Sequence, residues 1–379
     1  MADQTPGQVF AGSAAVKIAQ IEAQNRELME EFLAFPFTLF AKNPAWIPPS
    51  RERARAMWDP RGAFLSRLEA RVFLALEQDR VHARCAALVN RHLPDHPGMI
   101  GFFDSVEDSE PAHAVLSAAQ DWLRQKGKKA VRGPMDGSTW HSYRFITAGS
   151  DDPPFFLEPW NPHYYPRFWE SFGMTPVKRY FSARVPRGSW DDGRWARDME
   201  SCTREGYMFR TVNMRLWKEE LFLLFRMSTS IFSRAWGYSD ISAQEFLDLY
   251  GSLKFLIRPQ NLIFALDPAG REKGFLLTLG NEAKRMKAMA ASRGLAAKLG
   301  FLLMPRETER LIFKTIGVLP GLRKVRLGAA LVTYAERLFT REGWNEGIHA
   351  LMSEDNLSRS FSEGRGQTFR QYALFGKEL

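Results

Sequence analysis

The stretch IGVLPGLRKVRLGAALVTYAERL, residues 316–338, decides the fold of this chain. Its pattern predicts a strand that ends at Leu319, a break at Pro320, a basic loop, and then a helix rich in alanine and leucine. A loop that leads directly into a helix presents free backbone N–H groups to an anion, at the positive end of the helix dipole. The stretch is therefore expected to bind a negatively charged group.

The loop also carries side chains that suit a pyrophosphate. Arg323, Lys324 and Arg326 are positively charged, and hydrogen bonds from such groups to phosphate oxygens are strong ones. Gly328 and Ala329 leave room for a ligand to approach the backbone at the start of the helix. Tight packing of the helix against its neighbours is the alternative explanation of these two small residues.

These residues resemble the acyl-CoA pyrophosphate loop of the GNAT acyltransferase superfamily. The usual pattern there is Gln or Arg, two residues, Gly, one residue, and then Gly or Ala. Gly328 and Ala330 match the last part, whereas Val325 stands where Gln or Arg is expected, with Arg326 directly after it. The resemblance implies an acyl-CoA cofactor, either acetyl-CoA or a long-chain thioester. The residues that it assigns to the cofactor are Val318, Leu319, Arg323, Lys324, Val325, Arg326, Leu327, Gly328, Ala329, Ala330 and Asn356.

Two further segments support the resemblance, which covers residues 60–379. SEDNLSRSF (353–361) follows the next predicted strand, and its Asn356 stands where the superfamily places an Asn near the pantetheine. In the first half, WNPHYYPRFWESFGM (160–174) is spaced as in the same motif. The similarity is closest to a bacterial group of tandem GNAT-like proteins that includes lipid amine acyltransferases, some of which resemble bacterial ceramide synthases.

The predicted elements occur in the same order in both halves of the chain. Each half has a hairpin, a strand, a helix and a further strand. They are expected at 70–90, 99–106, 110–127 and 128–136 in the first half, and at 262–280, 310–320, 327–343 and 346–353 in the second. The segment PRGSWDD interrupts the periodicity at 186–192. We therefore predict two domains, 1–187 and 188–379.

Each domain is predicted to be an α/β (α+β) GNAT-like unit, a mixed and twisted sheet flanked by helices, and the two are expected to pack side by side. The strand-to-helix loop of the first half, FDSVEDSEPAHAV (103–115), is acidic and lacks glycine. An acidic loop repels a pyrophosphate. The N-terminal domain is therefore interpreted as a degenerate copy, with acyl-CoA on the C-terminal domain.

Amide formation by this superfamily is a direct attack of an amine on a thioester, so the protein must orient both reactants and accept a proton. GPMDGSTWHSYRF (133–145) gathers several titratable groups in one short loop. His141 is predicted as the base because its ordinary pKa lies near neutrality. A structural, hydrogen-bonded loop is the alternative. The predicted substrate-binding residues are Trp140, Tyr143, Arg144, Tyr164 and Tyr165.

Three more residues are candidates for proton transfer. Glu354 and Asp355 follow the strand after the cofactor helix, a position that the resemblance places near the acyl group; solvated or helix-capping carboxylates are the alternative. Phe361 stands near the usual position of a general-acid Tyr, so Tyr372 in the last strand is predicted as a substitute. A core role is the alternative for Tyr372.

The segment 282–311 is basic and interleaved with apolar residues. This character is typical of a helix that meets anionic lipid, and FPFTLFAKNPAWIPP (35–49) could add apolar anchors. Both features favour a lipid-like amine as acceptor, for example a sphingoid base, and peripheral contact with a membrane. The alternatives are an ordinary amphipathic helix, acetylation of a small polar amine, and a CoA-binding module without catalytic activity. The apolar residues of the insertion are Met286, Met289, Leu295, Leu299, Phe301, Leu302 and Leu303.

Composition limits the partners. The net charge of +9 calls for an anionic ligand, but no motif of nucleic-acid recognition accompanies it, so nucleic acid is not expected. The seven histidines lack metal-ligand spacing, and the two cysteines alone can form neither a disulfide framework nor a zinc site. We therefore predict no metal. No secretory pattern or bilayer-spanning apolar run is present. We expect a cytoplasmic location, at the inner face of the membrane.

Overall fold

A computed structural model describes residues 16–21, 26–93, 96–149, 151–190, 193–291, 300–301, 303–306, 309–322 and 326–379. Its strands are β1 (Lys17–Ile21), β2 (Leu68–Glu77), β3 (Arg80–Asn90), β4 (Gly98–Ser105), β5 (Ala130–Gly133), β6 (Phe145–Ala148), β7 (Thr175–Pro186), β8 (Met208–Thr211), β9 (Leu262–Leu266), β10 (Glu272–Gly280), β11 (Arg310–Val318), β12 (Glu346–Ser353) and β13 (Gln367–Glu378). Its helices are α1 (Arg26–Leu39), α2 (Arg51–Met57), α3 (Ala63–Ser66), α4 (Ser109–Gln125), α5 (Tyr165–Ser171), α6 (Arg194–Arg204), α7 (Trp217–Phe232), α8 (Ala243–Tyr250), α9 (Ala283–Ala291) and α10 (Leu327–Arg341).

The strands form one continuous sheet in the order β1-β2-β3-β4-β5-β13-β7-β12-β11-β10-β9-β8, with β6 also paired to β13. The last strand of each half crosses into the other half. β13 lies between β5 and β7, and β7 in turn pairs with β12. The predicted mixed sheet flanked by helices is confirmed, and it is continuous across the two halves because the exchanged strands join them by backbone hydrogen bonds. The domain division at residue 187 stays a prediction.

The two predicted helices, α4 after β4 and α10 after β11, are confirmed, and each covers its half of the sheet. In α4 the side chain of Asp108 accepts a hydrogen bond from the backbone N–H of Glu110, which caps the helix start. The buried face of α4 includes Val115 and Leu123, and that of α10 includes Leu331 and Phe339. Apolar residues three and four positions apart place such a stripe on one face of a helix.

Parallel strands separate at the same place in both halves. β4 and β5 pair only at Gly98–Val131 and Met99–Arg132. The chain after β5 then fills the first gap. The N–H of Met135 donates to the carbonyl of Ile100 (2.9 Å), and a carboxylate oxygen of Asp136 accepts the N–H of Phe102 (2.7 Å). The gap in the N-terminal half is therefore closed by protein.

The second gap stays open. β11 and β12 pair from Arg310 with Glu346 to Phe313 with His349, and then diverge. Beyond that point β11 pairs with β10 alone, so one backbone edge of β11 faces the gap. The second half therefore keeps a cleft between two parallel strands, next to the loop that precedes α10.

Some of the predicted elements are confirmed and others differ from the structure. The hairpins at 70–90 and 262–280 are confirmed. The pattern of residues 13–42 predicts a helix or two, and α1 lies in this range, but so does β1. No element was predicted at α6. Within the basic insertion the structure has α9, whereas residues 292–299 and Leu302 lie outside the described residues. In the described part of the chain, no helix combines the length and apolar character that crossing a bilayer requires.

Candidate functional site

The gap between β11 and β12 opens into a cavity of about 3160 Å³. Pockets for a small ligand usually measure about 300–1,000 Å³, so this cavity has room for a large cofactor together with a second substrate. It extends from the free edges of β11 and β12 to the N-terminal segment 33–64. Both halves of the chain therefore build its walls.

One end of the cavity is the loop between β11 and α10. Val318 and Gly328 border the cavity, and so does Arg326. Arg326 has a left-handed backbone (φ 54°) and precedes the first turn of α10, which receives no side-chain cap from it. Its guanidinium donates to Asp198 at 2.8 Å and remains 64 % exposed. The first N–H groups of α10 therefore face the cavity beside a cation, as an anion site requires.

The other predicted cofactor residues hold this loop in place or lie outside the described residues. Leu327 and Ala330 lie on the buried face of α10, and the N–H of Leu319 donates to the carbonyl of Lys273 (2.8 Å). The side chain of Asn356 accepts the N–H of Ser358 (3.1 Å) and borders the cavity. Ala329 lines the cavity, whereas Arg323, Lys324 and Val325 are not described.

Gly328 lies close to the position where the superfamily usually has a general-acid Tyr. A Cβ at Gly328 would come within 3.2 Å of the ring of Phe361, so the glycine permits this ring to pack on the start of α10. Phe361 also borders the cavity and carries no hydroxyl. A proton for the leaving thiolate cannot come from this side chain.

Tyr372, the predicted substitute, is buried in the sheet rather than exposed to the cavity. Its hydroxyl donates to a carboxylate oxygen of Glu158 and lies 2.9 Å from the Ser182 hydroxyl. Burial, with Glu158 adding to it, raises the pKa of Tyr372 well above its usual value. Glu158 also binds Arg370, Nε to Oε1 at 3.1 Å, and neither side chain is more than 1 % exposed. Tyr372 therefore belongs to a structural network, which is the alternative role considered for it.

Two cations lie where β11 and β12 separate. Lys314 is the extra residue of a bulge in β11. The neighbouring β10 residues Leu277 and Thr278 pair with Thr315 and Phe313, which leaves Lys314 between them without a partner on β10. Its ammonium donates to the carbonyl of Leu157 (3.1 Å). Burial, and after it the charge of Arg144, lowers the pKa of Lys314 to about 8.

Arg144, predicted to bind substrate, is the second cation. Its guanidinium lies 3.7 Å from the ring centre of Tyr143 and 3.8 Å from that of Tyr180, and it donates to the carbonyl of Leu351 on β12 (3.3 Å). Burial lowers the pKa of Arg144 to about 10. Because Arg144 and Tyr143 both border the cavity, the structure brings them to the point where the strands part.

His141 and Trp140 lie in the part of the cavity formed by the N-terminal half. His141 has Nδ1 3.0 Å from the Ser138 hydroxyl and Nε2 3.6 Å from Glu245, which is itself bound to Arg67 (2.8 Å). Burial, and then the charge of Arg67, lowers the pKa of His141 to about 4. A group this weakly basic accepts a proton poorly near neutral pH. The contacts therefore match the alternative, a structural loop.

The remaining predicted residues separate into two groups. Tyr164 and Tyr165 are buried in the N-terminal core with their hydroxyls bonded to the backbone of Ser105 (2.9 and 2.8 Å), and only Tyr165 borders the cavity. A substrate contact through Tyr164 is therefore corrected to a core role. Asp355 is exposed, pairs with Lys178 and borders the cavity, whereas Glu354 lies at the surface outside it.

The cavity walls between these groups are largely apolar. α7 contributes a stripe at helical spacing, Leu224, Ser228, Ile231 and Phe232. From the basic insertion, Met286, Met289 and Phe301 face the cavity, and so do Pro36, Phe37, Trp46 and Ile47 of the N-terminal segment. Within α9, Arg285 is buried against Glu282 and the carbonyl of Phe301. Three apolar residues of this insertion, Met286, Met289 and Phe301, thus line the cavity.

Sequence reasoning missed Lys314, Glu158 and Arg370. For Lys314 a signal existed, because it is the only charged residue inside the apolar run LIFKTIGV. The others gain their environment from strands far away in sequence. Among the described residues, no three His, Cys, Asp or Glu side chains come together as a metal site would require.

The class of protein follows from these features. Paired halves, a parallel strand pair that opens into a cavity, and a loop leading into a helix at its end give this chain the fold of tandem GNAT proteins. The tandem GNAT protein from the clavulanic acid biosynthesis pathway superposes with a TM-score of 0.51 over 96 % of this chain and 98 % of its own, at 10 % identity. At that identity the likeness concerns the fold.

Two proteins are similar to this chain in sequence. Bacterial ceramide synthase from Caulobacter vibrioides is 26 % identical over 259 residues, which are 67 % of this chain and 67 % of that protein. Protein YghO from Escherichia coli is 21 % identical over 262 residues, 68 % of this chain and 67 % of its own length. No family model matches the sequence.

Proposed function

We propose that this protein transfers the acyl group of an acyl-CoA thioester to the primary amine of a lipid-like acceptor, such as a sphingoid base. The observation that carries the proposal is the apolar cavity of about 3160 Å³ at the open strand gap. Burial of a hydrocarbon chain contributes about 0.8 kcal/mol per methylene, which a cavity of this lining can supply. The similarity to a ceramide synthase supports the same acceptor class.

The residues present fit a CoA cofactor. The N-terminus of α10 and Arg326 supply hydrogen-bond donors for its phosphates. From Val318, the free edge of β11 runs back four residues to Lys314, a distance of about 13 Å along a strand. The arm of the cofactor would follow this edge and place the thioester where β11 and β12 separate.

A lipid surface is the proposed source of the acceptor, at the cytoplasmic face of a membrane. Phe255 borders the cavity and is 73 % exposed, and Leu303, just after the insertion residues that line the cavity, is 75 % exposed. Large exposed apolar side chains near a cavity mouth suit entry of an amphiphile.

The first experiment is calorimetric titration of the protein with CoA, acetyl-CoA and palmitoyl-CoA, followed by assay with a sphingoid base. Saturable binding with a preference for palmitoyl-CoA, and amide product, would support the proposal. Equal binding of the three would point to a short acyl donor and a small polar amine. No binding of any would refute the cofactor assignment.

Ser228 tests whether the acyl chain lies along α7. This small residue is buried in the middle of the cavity-facing stripe. Ser228→Phe is expected to displace about three methylenes, which costs about 2.4 kcal/mol and weakens palmitoyl-CoA binding about fiftyfold. Acetyl-CoA binding should stay unchanged, and Ser233→Phe, nearer the cavity rim, is the matched control. If Ser228→Phe weakens the binding of palmitoyl-CoA and acetyl-CoA equally, the acyl chain does not lie along α7.

The phosphate end is tested separately. Arg326→Ala should weaken CoA binding about tenfold, because one charge-assisted hydrogen bond is lost. Gly328→Val should weaken it as well, since the side chain would meet Phe361. His141→Gln serves as the control and should leave the CoA affinity measured by calorimetry unchanged. Equal effects of all three variants would contradict this division of roles.

A further inference from the structure

Among the residues that the structure describes, Arg144 is buried and Lys314 is half-buried, and neither forms an ion pair with a carboxylate, although the charge of Glu158 acts on Lys314 from a greater distance. Lys314 donates to the carbonyl of Leu157, and Arg144 to those of Leu351 and Tyr143. The nearest carboxylate network, that of Glu158, is already occupied by Arg370 and Tyr372. A buried charge such as that of Arg144 is normally paired, and with Lys314 beside it the site holds positive charge in excess.

The position of these cations points to what completes the site. One extends from the bulge in β11 and the other binds the backbone of β12, so they bracket the place where the strands part. Both border the cavity. A group with negative charge that arrives there would gain from both cations in a surrounding that excludes much of the water.

We propose that the Lys314 ammonium, supported by Arg144, stabilises the oxyanion that forms on the thioester carbonyl during acyl transfer. The inference rests on the proposed use of acyl-CoA. The amine nitrogen bonds to the carbonyl carbon, and the π electrons move to oxygen, where Lys314 donates a hydrogen bond. The C=O bond then re-forms, the C–S bond breaks, and the thiolate takes up the proton that the ammonium of the product loses.

This role makes the charge of Lys314 essential to the chemical step. Removing one oxyanion donor typically lowers kcat about 100–1,000-fold. Lys314→Met should therefore lower kcat for palmitoyl-CoA and a sphingoid base by this factor, with both KM values within about threefold of wild type. Lys314→Arg keeps a cation and should retain most of kcat. Lys218→Met, exposed on α7, is the control.

The pH profile separates an oxyanion donor from a base. Because the donor must be protonated, wild-type kcat should fall as pH rises through about 8, the pKa of Lys314, and this limb should vanish in Lys314→Arg. If kcat instead rises as the pH passes through about 8, and this rise disappears in both Lys314→Arg and Lys314→Met, Lys314 would be assigned as a base. An increase in acceptor KM alone would assign it to an anionic group of the acceptor. Either result overturns the proposal.

A binding measurement keeps the test independent of turnover. S-carboxymethyl-CoA has a methylene in place of the thioester carbonyl carbon of acetyl-CoA and a carboxylate on the next carbon, so its negative oxygens lie close to the position of the oxyanion. Wild type should bind it at least tenfold more tightly than acetyl-CoA, with the preference kept in Lys314→Arg and lost in Lys314→Met. Binding of both ligands without this preference overturns the role of Lys314. Failure of either to bind refutes the acyl-CoA assignment itself.

Discussion

Replacing Arg370 by Met should lower the free energy of unfolding by about 3–5 kcal/mol, because it leaves the carboxylate of Glu158 buried without its cation. Arg370 lies on β13 and is 1 % exposed, and Glu158 is fully buried. The guanidinium also donates to the carbonyls of Gly149, Asp152 and Pro153. The exchanged last strand of the chain is thus tied to a loop of the first half by one side chain.

Urea denaturation followed by tryptophan fluorescence measures this effect. Arg359→Met is the matched control, since Arg359 is 57 % exposed and faces Glu363 at 3.7 Å on the surface. Exposed ion pairs contribute about 0–1 kcal/mol, so the control should unfold close to wild type. If Arg370→Met and Arg359→Met unfold at the same urea concentration, the buried pair does not hold the exchanged strand.

The second large effect is a change of stability with pH that depends on Asp136. Burial raises the pKa of Asp136 to about 7, against the lowering influence of the Phe102 N–H and of Arg84. In the unfolded chain an Asp titrates near pH 4. Between about pH 4 and pH 7, Asp136 holds a proton in the native state that it has lost in the unfolded state. The stability that Asp136 contributes is therefore present below about pH 4 and is lost as pH rises to about 7.

Asp136→Asn removes this titration. Relative to wild type, the variant should gain stability between pH 4 and pH 8, by up to about 4 kcal/mol from a shift of three pKa units. Unfolding midpoints of both proteins at pH 4.5, 6 and 8 test this, with Asp79→Asn in the exposed β2–β3 turn as control. Parallel curves for wild type and Asp136→Asn would show that the carboxyl is not held in its neutral form.

Among the described residues, the filled gap between β4 and β5 contrasts with the open gap between β11 and β12. Asp136 and Met135 bind the edge of β4, and a Cβ at Gly101 would come within 2.4 Å of the Met135 carbonyl oxygen. Only a glycine permits this close approach of two backbones. The acidic loop of the first half is thus accompanied by a closed gap, which supports its interpretation as a degenerate copy.

Sequence reasoning located the elements of the candidate site better than its chemistry. The strand, loop and helix at 310–341 were predicted, and Arg144 and Tyr143 were named and do border the cavity. His141 was chosen for the ordinary pKa of histidine, which burial lowers to about 4. Tyr372 was chosen from its place in the last strand, where burial removes it from the cavity. A pKa depends on neighbours that a sequence pattern does not reveal.

The sequence by itself determined the local elements, since the apolar periodicity of α4 and α10 and the turns of the hairpins depend on residues close in the chain. It also determined that one strand-to-helix loop is basic and the other acidic. Only the tertiary structure decided the exchange of β7 and β13, the closure of the first gap, and the meeting of Lys314 with Arg144. The strand exchange and the meeting of Lys314 with Arg144 join residues more than 150 positions apart, whereas the closure of the first gap joins residues 34 positions apart. The energy of these contacts depends on burial that exists only in the folded chain.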